Sequence, residues 1–446
     1  MIEQRLGELA QEASVPGAVL GVWDGSEATI TPYGVVSTRT GQPTSADSVF
    51  QIGSITKTWT ATMVAQLVEE GWLSYDAPVA DLLPGVRTGR DDASDRITIR
   101  HLLTHSSGLD GDVFDDTGRG DDAVERYVEL LADVERTFEP GAAYSYCNSG
   151  FVLLGRIIEV LDGRTWEESL RERLVRPLGL TNTVTLPEEA ILRSAAIGHH
   201  GPPDVVPHST WTLPRAIGPA GLITCSAADL LAYARLHLDR GAGLLSETAV
   251  LQMWEQQLPI PEQLGGIGLS WRVASWNGER VLAHDGGTVG QIAKLRLLPD
   301  RGFALCLLTN SDNGEALAER LLPEVLAELA GVTAPDLPVP DPAIEVSGLE
   351  RHVGRYSRRG VDFDVEQDAE RGDAEQGAGL RVTIRPHFGI GGLDEVETVT
   401  MLPTDASGDR FAGRPAPTEA WWRIAFATLP DGRPQLFSSG RVAPRV

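Results

Sequence analysis

The chain has 446 residues, 42% of them apolar, and its 63 acidic against 38 basic side chains leave a formal charge of −25. Apolar residues run through the whole length and the 48 glycines follow no collagen period, which excludes fibrous and disordered classes and predicts two or three globular domains. So negative a chain, without a basic tail, repels phosphate backbones and anionic lipids, so nucleic acid is excluded as a partner.

From Met1 to Ala13, Ile2, Leu6, Leu9 and Ala13 recur at helical spacing with Glu3, Glu8 and Glu12 between them. This predicts an amphipathic helix and lacks the basic start and continuous apolar stretch of a secretory signal. Without a run of about 18 apolar residues no spanning helix is expected; no membrane partner and a cytoplasmic location follow. Ala18 to Trp23 reads as a buried strand and Ala28 to Val36 as its hairpin mate. Ser54 to Glu70 carries Ile55, Trp59, Met63 and Leu67 at helical spacing, stopped by Gly71. Helical patterns recur at Ile99–Thr104, Ala123–Val134, Ser149–Leu161, Trp166–Leu174 and Ser226–Leu238. Strand patterns return at Gly268–Ala274, Arg280–His284, Ile292–Leu298 and Phe303–Thr309. Strands at both ends of a helical middle predict an α+β domain, with one antiparallel sheet closed by the two termini and a separate helical lobe. The acid-rich stretch Asp110 to Asp122 predicts a solvated loop, and its spacing does not fit an EF-hand.

Pro335, Pro338, Pro340 and Pro342 crowd one short segment, which favours an extended linker. The expected boundaries are a first domain over 1–332, a linker over 333–346 and a tail over 347–446. The tail shows short alternating stretches at His352–Tyr356, Val361–Val365, Leu380–Ile384, Val396–Leu402, Trp422–Phe426 and Gln435–Phe437, the pattern of an all-β barrel or sandwich.

Cys147, Cys225 and Cys306 are odd in number and far apart, so buried reduced thiols are expected and a zinc site is not. His101 and His105 stand at i, i+4 on a predicted helix, but without an HExxH pattern they predict no metal. His199, His200 and His208 fall in a Gly/Pro-rich loop and read as surface or cleft-lining residues. No cofactor is expected.

Lysine is nearly absent: Lys57 and Lys294 are alone among many arginines. Ser54 and Lys57, three apart at a helix start, share one helical face. The helix dipole and the neighbours Ile55 and Trp59 disfavour an ammonium, so Lys57 can take the Ser54 proton; the same pair also suits an N-cap and an ordinary first turn. Tyr146 and Asn148, two apart in a polar loop, offer a phenol for proton relay and an amide for a substrate carbonyl, or simply a turn and helix cap. His284-Asp285-Gly286-Gly287-Thr288 follows a strand pattern, where glycines admit a substrate backbone and the Gly287 N–H can join that of Ser54 as an oxyanion hole.

A Ser-x-x-Lys helix, a Tyr-x-Asn loop and a His-x-Gly-Gly strand, in that order, resemble the class C β-lactamase and penicillin-binding-protein-like serine hydrolases. The likeness runs from about Val15 to Asn310 and includes Leu102 to Leu109 (LLTHSSGL), Pro177 to Leu180 (PLGL) and Pro219 to Leu222 (PAGL). It implies Ser54 as acylated nucleophile, Lys57 as base, Tyr146 as proton shuttle, Asn148 as substrate-amide holder and Gly287 as oxyanion donor. His284 stands where the β-lactamases place a lysine, which argues against true β-lactamase activity, and Cys147 replaces a small residue. The tail, opening with Leu349 to Tyr356 (LERHVGRY), resembles the lipocalin-like barrel of some members, and an arginine there, Arg441 or Arg445, is a candidate for binding a peptide carboxylate. Stand-alone penicillin-binding-protein-type thioesterases pair the same two domains. The resemblance thus implies a peptidyl (thio)ester substrate with a D-residue at the acyl position, released by macrocyclisation or hydrolysis in nonribosomal peptide biosynthesis, with room for a peptidyl carrier protein as donor. An intracellular esterase or D-amino-acid peptidase, and a non-catalytic peptide-binding relative, are the alternatives.

Overall fold

A computed structural model of the chain describes every residue except 1, 202–203, 262–264, 337, 342–343, 369–378, 388–395 and 416–419. Its larger sheet has eight antiparallel strands, ordered Ala28–Gly34, Gly17–Trp23, Phe303–Thr309, Gln291–Leu298, Glu279–Thr288, Arg272–Trp276, Gly266–Ile267 and Leu258–Pro259. The first strand of the chain therefore lies beside one of the last, Ala18 opposite Thr309, and the sheet is closed by the two ends of an α+β domain as the pattern predicts.

Side-chain alternation gives this sheet two buried faces. In Phe303–Thr309, Phe303, Leu305 and Leu307 join Leu6 and Leu9 of the Ile2–Glu12 helix and Leu317 and Leu321 of the Gly314–Val325 helix. Ala304, Cys306 and Leu308 face the opposite way, into the core of the helical lobe. That lobe is built around the Thr56–Glu69 helix, buried from Thr56 through Leu67. A helix enclosed on all sides must satisfy its polar side chains locally: the Thr58 and Thr62 hydroxyls donate to Ile55 O and Thr58 O at 2.8 Å, and Thr60 donates to Pro219 O at 2.7 Å. Trp59 stacks on Tyr233 with ring centroids 3.9 Å apart.

The C-terminal unit is a meander of eight antiparallel strands from Gly354–Arg358 to Arg441–Pro444. It is a nearly closed barrel, because the first strand returns to the chain end through the Tyr356–Arg445 bridge and a 2.9 Å bond from Val446 N to Arg355 O. Phe363, Val382, Met401, Phe411, Ile424, Phe426 and Leu436 fill it. Ala425, Phe437 and Val442 point outward and pack on Phe138 of the helical lobe. Two of its strands, Arg410–Gly413 and Arg441–Pro444, and two helices, Glu247–Trp254 and Gly314–Val325, go beyond the patterns read from sequence. The strand expected at Gly268–Ala274 begins instead at Arg272, because Ser270 adopts a left-handed φ of 72° and turns the chain. Among the described residues no helix is long and apolar enough to cross a membrane.

The Asn148–Asp162 helix ends with a buried carboxylate, Glu159, which accepts from Trp166 N and from Arg156 at 3.2 Å. Burial pushes this group up to about 7 from an ordinary 4.5. It therefore costs nothing below the unfolded pKa, destabilises increasingly as pH rises from there to about 7, and above that the cost levels off near 3 kcal/mol, on the order of 1.4 kcal/mol per pKa unit. Glu159→Gln, which keeps the acceptor for Trp166, should leave urea-unfolding stability unchanged at about pH 4 and raise it by up to about 3 kcal/mol at about pH 8. Equal stabilities at the higher pH would show that Arg156 offsets the burial.

Candidate active site

Ser54 sits in a single 3-10 turn, Gly53–Ile55, that feeds directly into the Thr56–Glu69 helix. Its hydroxyl does not cap that helix, so the capping alternative open in the sequence is not the one adopted. The turn is pressed against the Glu279–Thr288 strand, backbone to backbone. A Cβ on Gly286 would lie 1.9 Å from Ile52 O and 2.9 Å from Ser54 N, and one on Gly53, whose φ is +50°, would lie 2.7 Å from Gly287 N. Only glycine permits this approach, and it sets the Ser54 and Gly287 amides on adjoining backbone.

Lys57 is fully buried. Its Nζ lies 3.1 Å from Ser54 Oγ and 2.6 Å from Ala220 O, and 4.9 Å from the centroid of the Tyr146 ring. Desolvation first, and the nearby Arg441 guanidinium second, hold its amine well below the usual lysine range, against a smaller opposing pull from Asp112. The Tyr146 hydroxyl is buried as well; burial pushes the phenol up to about 12, an effect the Ser54 hydroxyl partly offsets. Asn148 is buried at the start of its helix and donates from Nδ2 to Asp112 Oδ1 at 2.9 Å.

That last contact corrects the reading of the acid-rich stretch as a solvated loop at its start, while Asp115, Asp116, Asp121 and Asp122 are exposed as expected. Asp112 is buried, and its partners are arginines from the barrel: Arg358 NH1 donates to Oδ2 at 3.1 Å, and Arg441 lies 2.5 Å from Oδ2 and 3.1 Å from Oδ1. Asp110 accepts from the backbone N–H of Arg359 at 2.6 Å. Carboxylates cannot be buried together without counter-charges; a second domain supplies them. Arg441 also lies over the Tyr146 ring, 4.8 Å from its centroid. The carboxylate Arg441 holds is thus the protein's own, whereas Arg445 donates to Arg351 O at 3.3 Å on the barrel.

His284 is buried, its Nδ1 2.7 Å from Asp285 O. Burial, then the charges of Arg272 and Lys57, push it down to about 3, so it is neutral through the working range and supplies no fixed cation in place of a lysine. His105 is not on a helix: the Ile99–Leu103 helix ends before it, and its φ is 55°. Its Nδ1 accepts from Cys147 N at 3.0 Å and its ring stacks on Tyr146 at 4.2 Å, so it braces the Tyr146–Asn148 loop from behind. Its partner in the i, i+4 reading, His101, caps the same helix by accepting from Thr98 N. His199, expected at the surface or lining the cleft, is fully buried between Thr38 N and Asn310 O. The three cysteines are free and buried. Among the described residues no three His, Cys, Asp or Glu side chains gather closely enough to hold a metal ion.

The structure thus brings Ser54, Lys57 and Tyr146 together, with Asn148, His284 and Gly287 on the elements packed around them. Sequence reasoning missed Asp112, Arg358 and the Ala220 carbonyl; only the Pro219–Leu222 stretch carried a signal for the last.

The family model described as Beta-lactamase matches residues 2–330. Penicillin-binding protein 4 of Amycolatopsis lactamdurans is 39% identical over 373 residues, covering 80% of this chain and 97% of that protein. The crystal structure of SurE with D-Leu superposes over 100% of this chain and 99% of its own, at a TM-score of 0.77 and 30% identity. A D-stereospecific amidohydrolase from Streptomyces sp. matches 75% of this chain and 99% of its own, at a TM-score of 0.60 and 30% identity. With a buried amine against a serine at the head of its central helix, the chain belongs to the β-lactamase family, serine hydrolases of the β-lactamase and penicillin-binding-protein type.

Proposed function

We propose that the protein is a serine acyl-transfer enzyme that accepts a peptidyl (thio)ester with a D-residue at the acyl position and releases it by head-to-tail macrocyclisation, with hydrolysis as the competing outcome, in nonribosomal peptide biosynthesis. The observation that carries the acyl-transfer part is the fully buried Lys57 amine 3.1 Å from Ser54 Oγ. SurE, solved with D-Leu, and the D-stereospecific amidohydrolase, at 30% identity each, support the stereochemistry, and the SurE likeness extends over the whole chain, barrel included. Hydrolysis of a D-peptide or ester is the second reading, favoured by the amidohydrolase likeness.

In the acylation step the neutral Lys57 amine takes the Ser54 proton as Oγ attacks the acyl carbonyl. The oxyanion forms against the Ser54 and Gly287 amides. The tetrahedral intermediate expels the thiol or alcohol, which leaves with the proton carried by Lys57. In the second step the peptide's own amine, or water, attacks the ester carbonyl, gives its proton to Lys57, and Ser54 Oγ recovers a proton as it departs. Tyr146, pushed up to about 12, stays protonated and relays these protons as a hydrogen-bond donor. Asn148 orients the acyl residue through its amide.

Exposure to an activated D-acyl ester should add one acyl group at Ser54 by intact-protein mass, and Ser54→Ala and Lys57→Met should show none. An unlabelled wild type would sink the acyl-transfer reading. With a peptidyl thioester ending in a D-residue, a product lighter than the linear acid by one water marks the ring, whereas linear acid alone would leave hydrolysis as the function. Gly286→Ala should lower the acylation rate by 100-fold or more, on the order of the loss of one oxyanion donor, because its methyl group forces the strand away from the nucleophile turn. A rate within threefold of wild type would mean that Gly287 is not a donor.

A further inference from the structure

The acid-rich loop is where barrel and catalytic domain meet, and one of its carboxylates touches the chemistry. Asp112 uses both oxygens: Oδ1 accepts from Asn148 and Arg441 at 2.9 and 3.1 Å, and Oδ2 from Arg358 at 3.1 Å with Arg441 at 2.5 Å. An ionised carboxylate offers acceptors alone, so Asn148 must turn its NH2 toward it and keep its carbonyl oxygen and one N–H for substrate. Charge, not packing alone, fixes which way the amide points.

The second contact concerns Lys57. Lys57 and Arg441 lie 4.9 and 4.8 Å from the centroid of the same Tyr146 ring, and Arg441 cannot shed its proton. The groups that face Lys57 are the rings of Tyr146 and Phe151, Cys147, His105, His284, Arg441 and Asp112. Burial pushes the Cys147 thiol up to about 11 and holds both histidines neutral, so Arg441 and Asp112 are the charges that bear on the amine. The hairpin that carries Arg441 is locked to the same loop: Gly440 O accepts from Tyr146 N at 2.8 Å, and Val442 N donates to Ser145 Oγ at 3.2 Å.

We propose that Asp112 is a positioning residue of the active site, the group through which the docked barrel orients Asn148 and balances Arg441 beside Lys57. This rests on the acyl-transfer reading above. Asp112→Asn keeps the shape and removes the charge: the Lys57 ammonium loses its counter-charge, and the amide of Asn148 is no longer held one way round. Arg441→Met does the reverse to Lys57, removing a repelling cation and leaving Asp112 opposed by Arg358 alone.

The test is the pH dependence of Ser54 acylation by an activated D-acyl peptidyl ester, with wild type, Asp112→Asn and Arg441→Met compared after far-UV circular dichroism shows each folded. Asp112→Asn should move the acid limb of kcat/KM to lower pH by about one unit and raise KM about tenfold, the worth of one hydrogen bond. Arg441→Met should move that limb to higher pH. Limbs that stay at the wild-type position, or that move the same way in both variants, overturn the assignment. If Asp112→Asn does not fold, Arg441→Met decides alone, and an unshifted or lowered limb overturns it. A wild type that is not acylated fails before any variant is compared and removes the acyl-transfer reading itself.

Discussion

A primary amine sealed from water is the constraint on which this structure turns. Lys57 has no solvent to hydrate an ammonium, and its Nζ finds one backbone carbonyl, Ala220 O, and one hydroxyl, Ser54 Oγ. A neutral amine fits these partners: its N–H groups reach the carbonyl at 2.6 Å and the serine oxygen at 3.1 Å without an anion to hold a full charge. The surrounding architecture keeps that arrangement dry and in place. The helix carrying Lys57 is buried through its first three turns. The Ala220 segment is fixed from the far side by Gly155, where an added Cβ would come within 2.1 Å of Pro219 Cγ; that closeness leaves the carbonyl little freedom to drift from the amine.

The same need for close approach explains the glycines around the nucleophile. Gly53 and Gly286 remove side chains where two backbones must touch, and the reward is a pair of amides set by main-chain geometry and not by flexible side chains. Electrophilic stabilisation of this kind requires no reorganisation when charge develops. The barrel contributes differently. It docks through apolar contacts to Phe138 and through ion pairs of Asp112 with Arg358 and Arg441, so a domain outside the family match at residues 2–330 places a permanent charge beside the catalytic loop.

Much of the fold was legible because strands and helices that bury one face announce their period. The Phe303–Thr309 strand, the Thr56–Glu69 helix and the closing of the sheet by both chain ends are of this kind. What was not legible had definite causes. The Gly314–Val325 helix opens on glycine and contains Pro323, each of which argues against a helix in isolation. The four-residue strands Arg410–Gly413 and Arg441–Pro444 are too short for alternation to be counted. His105 was placed on a helix by spacing, yet its left-handed φ is a tertiary consequence of the contacts it makes with Tyr146 and Cys147. The start of the acid-rich loop was the instructive failure: a local count of carboxylates predicts solvent, which holds for Asp115 to Asp122, but the partners of Asp110 and Asp112 stand some 240 residues or more further along the chain. Ser54, Lys57, Tyr146 and Asn148 were visible because hydroxyl, amine, phenol and amide at fixed spacing are local features; Asp112 was not, because its pairing with Arg358 and Arg441 exists only in the assembled interior.

Although the overall charge is −25, two interior carboxylates near the Ser54 turn each gather several cations. Asp112 meets Arg358 and Arg441. Asp285 meets Arg272, Arg296 and Lys294. In each group one carboxylate, buried in Asp112 and half-buried in Asp285, holds more than one cation close to it, and Glu315 pairs with Lys294 as well. Arg272 and Arg441 both act to hold the Tyr146 phenol back from an even higher pKa, and both help keep His105 neutral. Burial first and the Arg441 charge second discourage a further proton on Lys57, the condition a general base requires. Arginine suits this use better than lysine, since a guanidinium keeps its charge when buried whereas an amine sheds it. The two lysines of the sequence show the difference: Lys294 is buried against Asp285 and Glu315, whereas Lys57 is buried against a carbonyl and a hydroxyl, where its amine is held well below the usual lysine range.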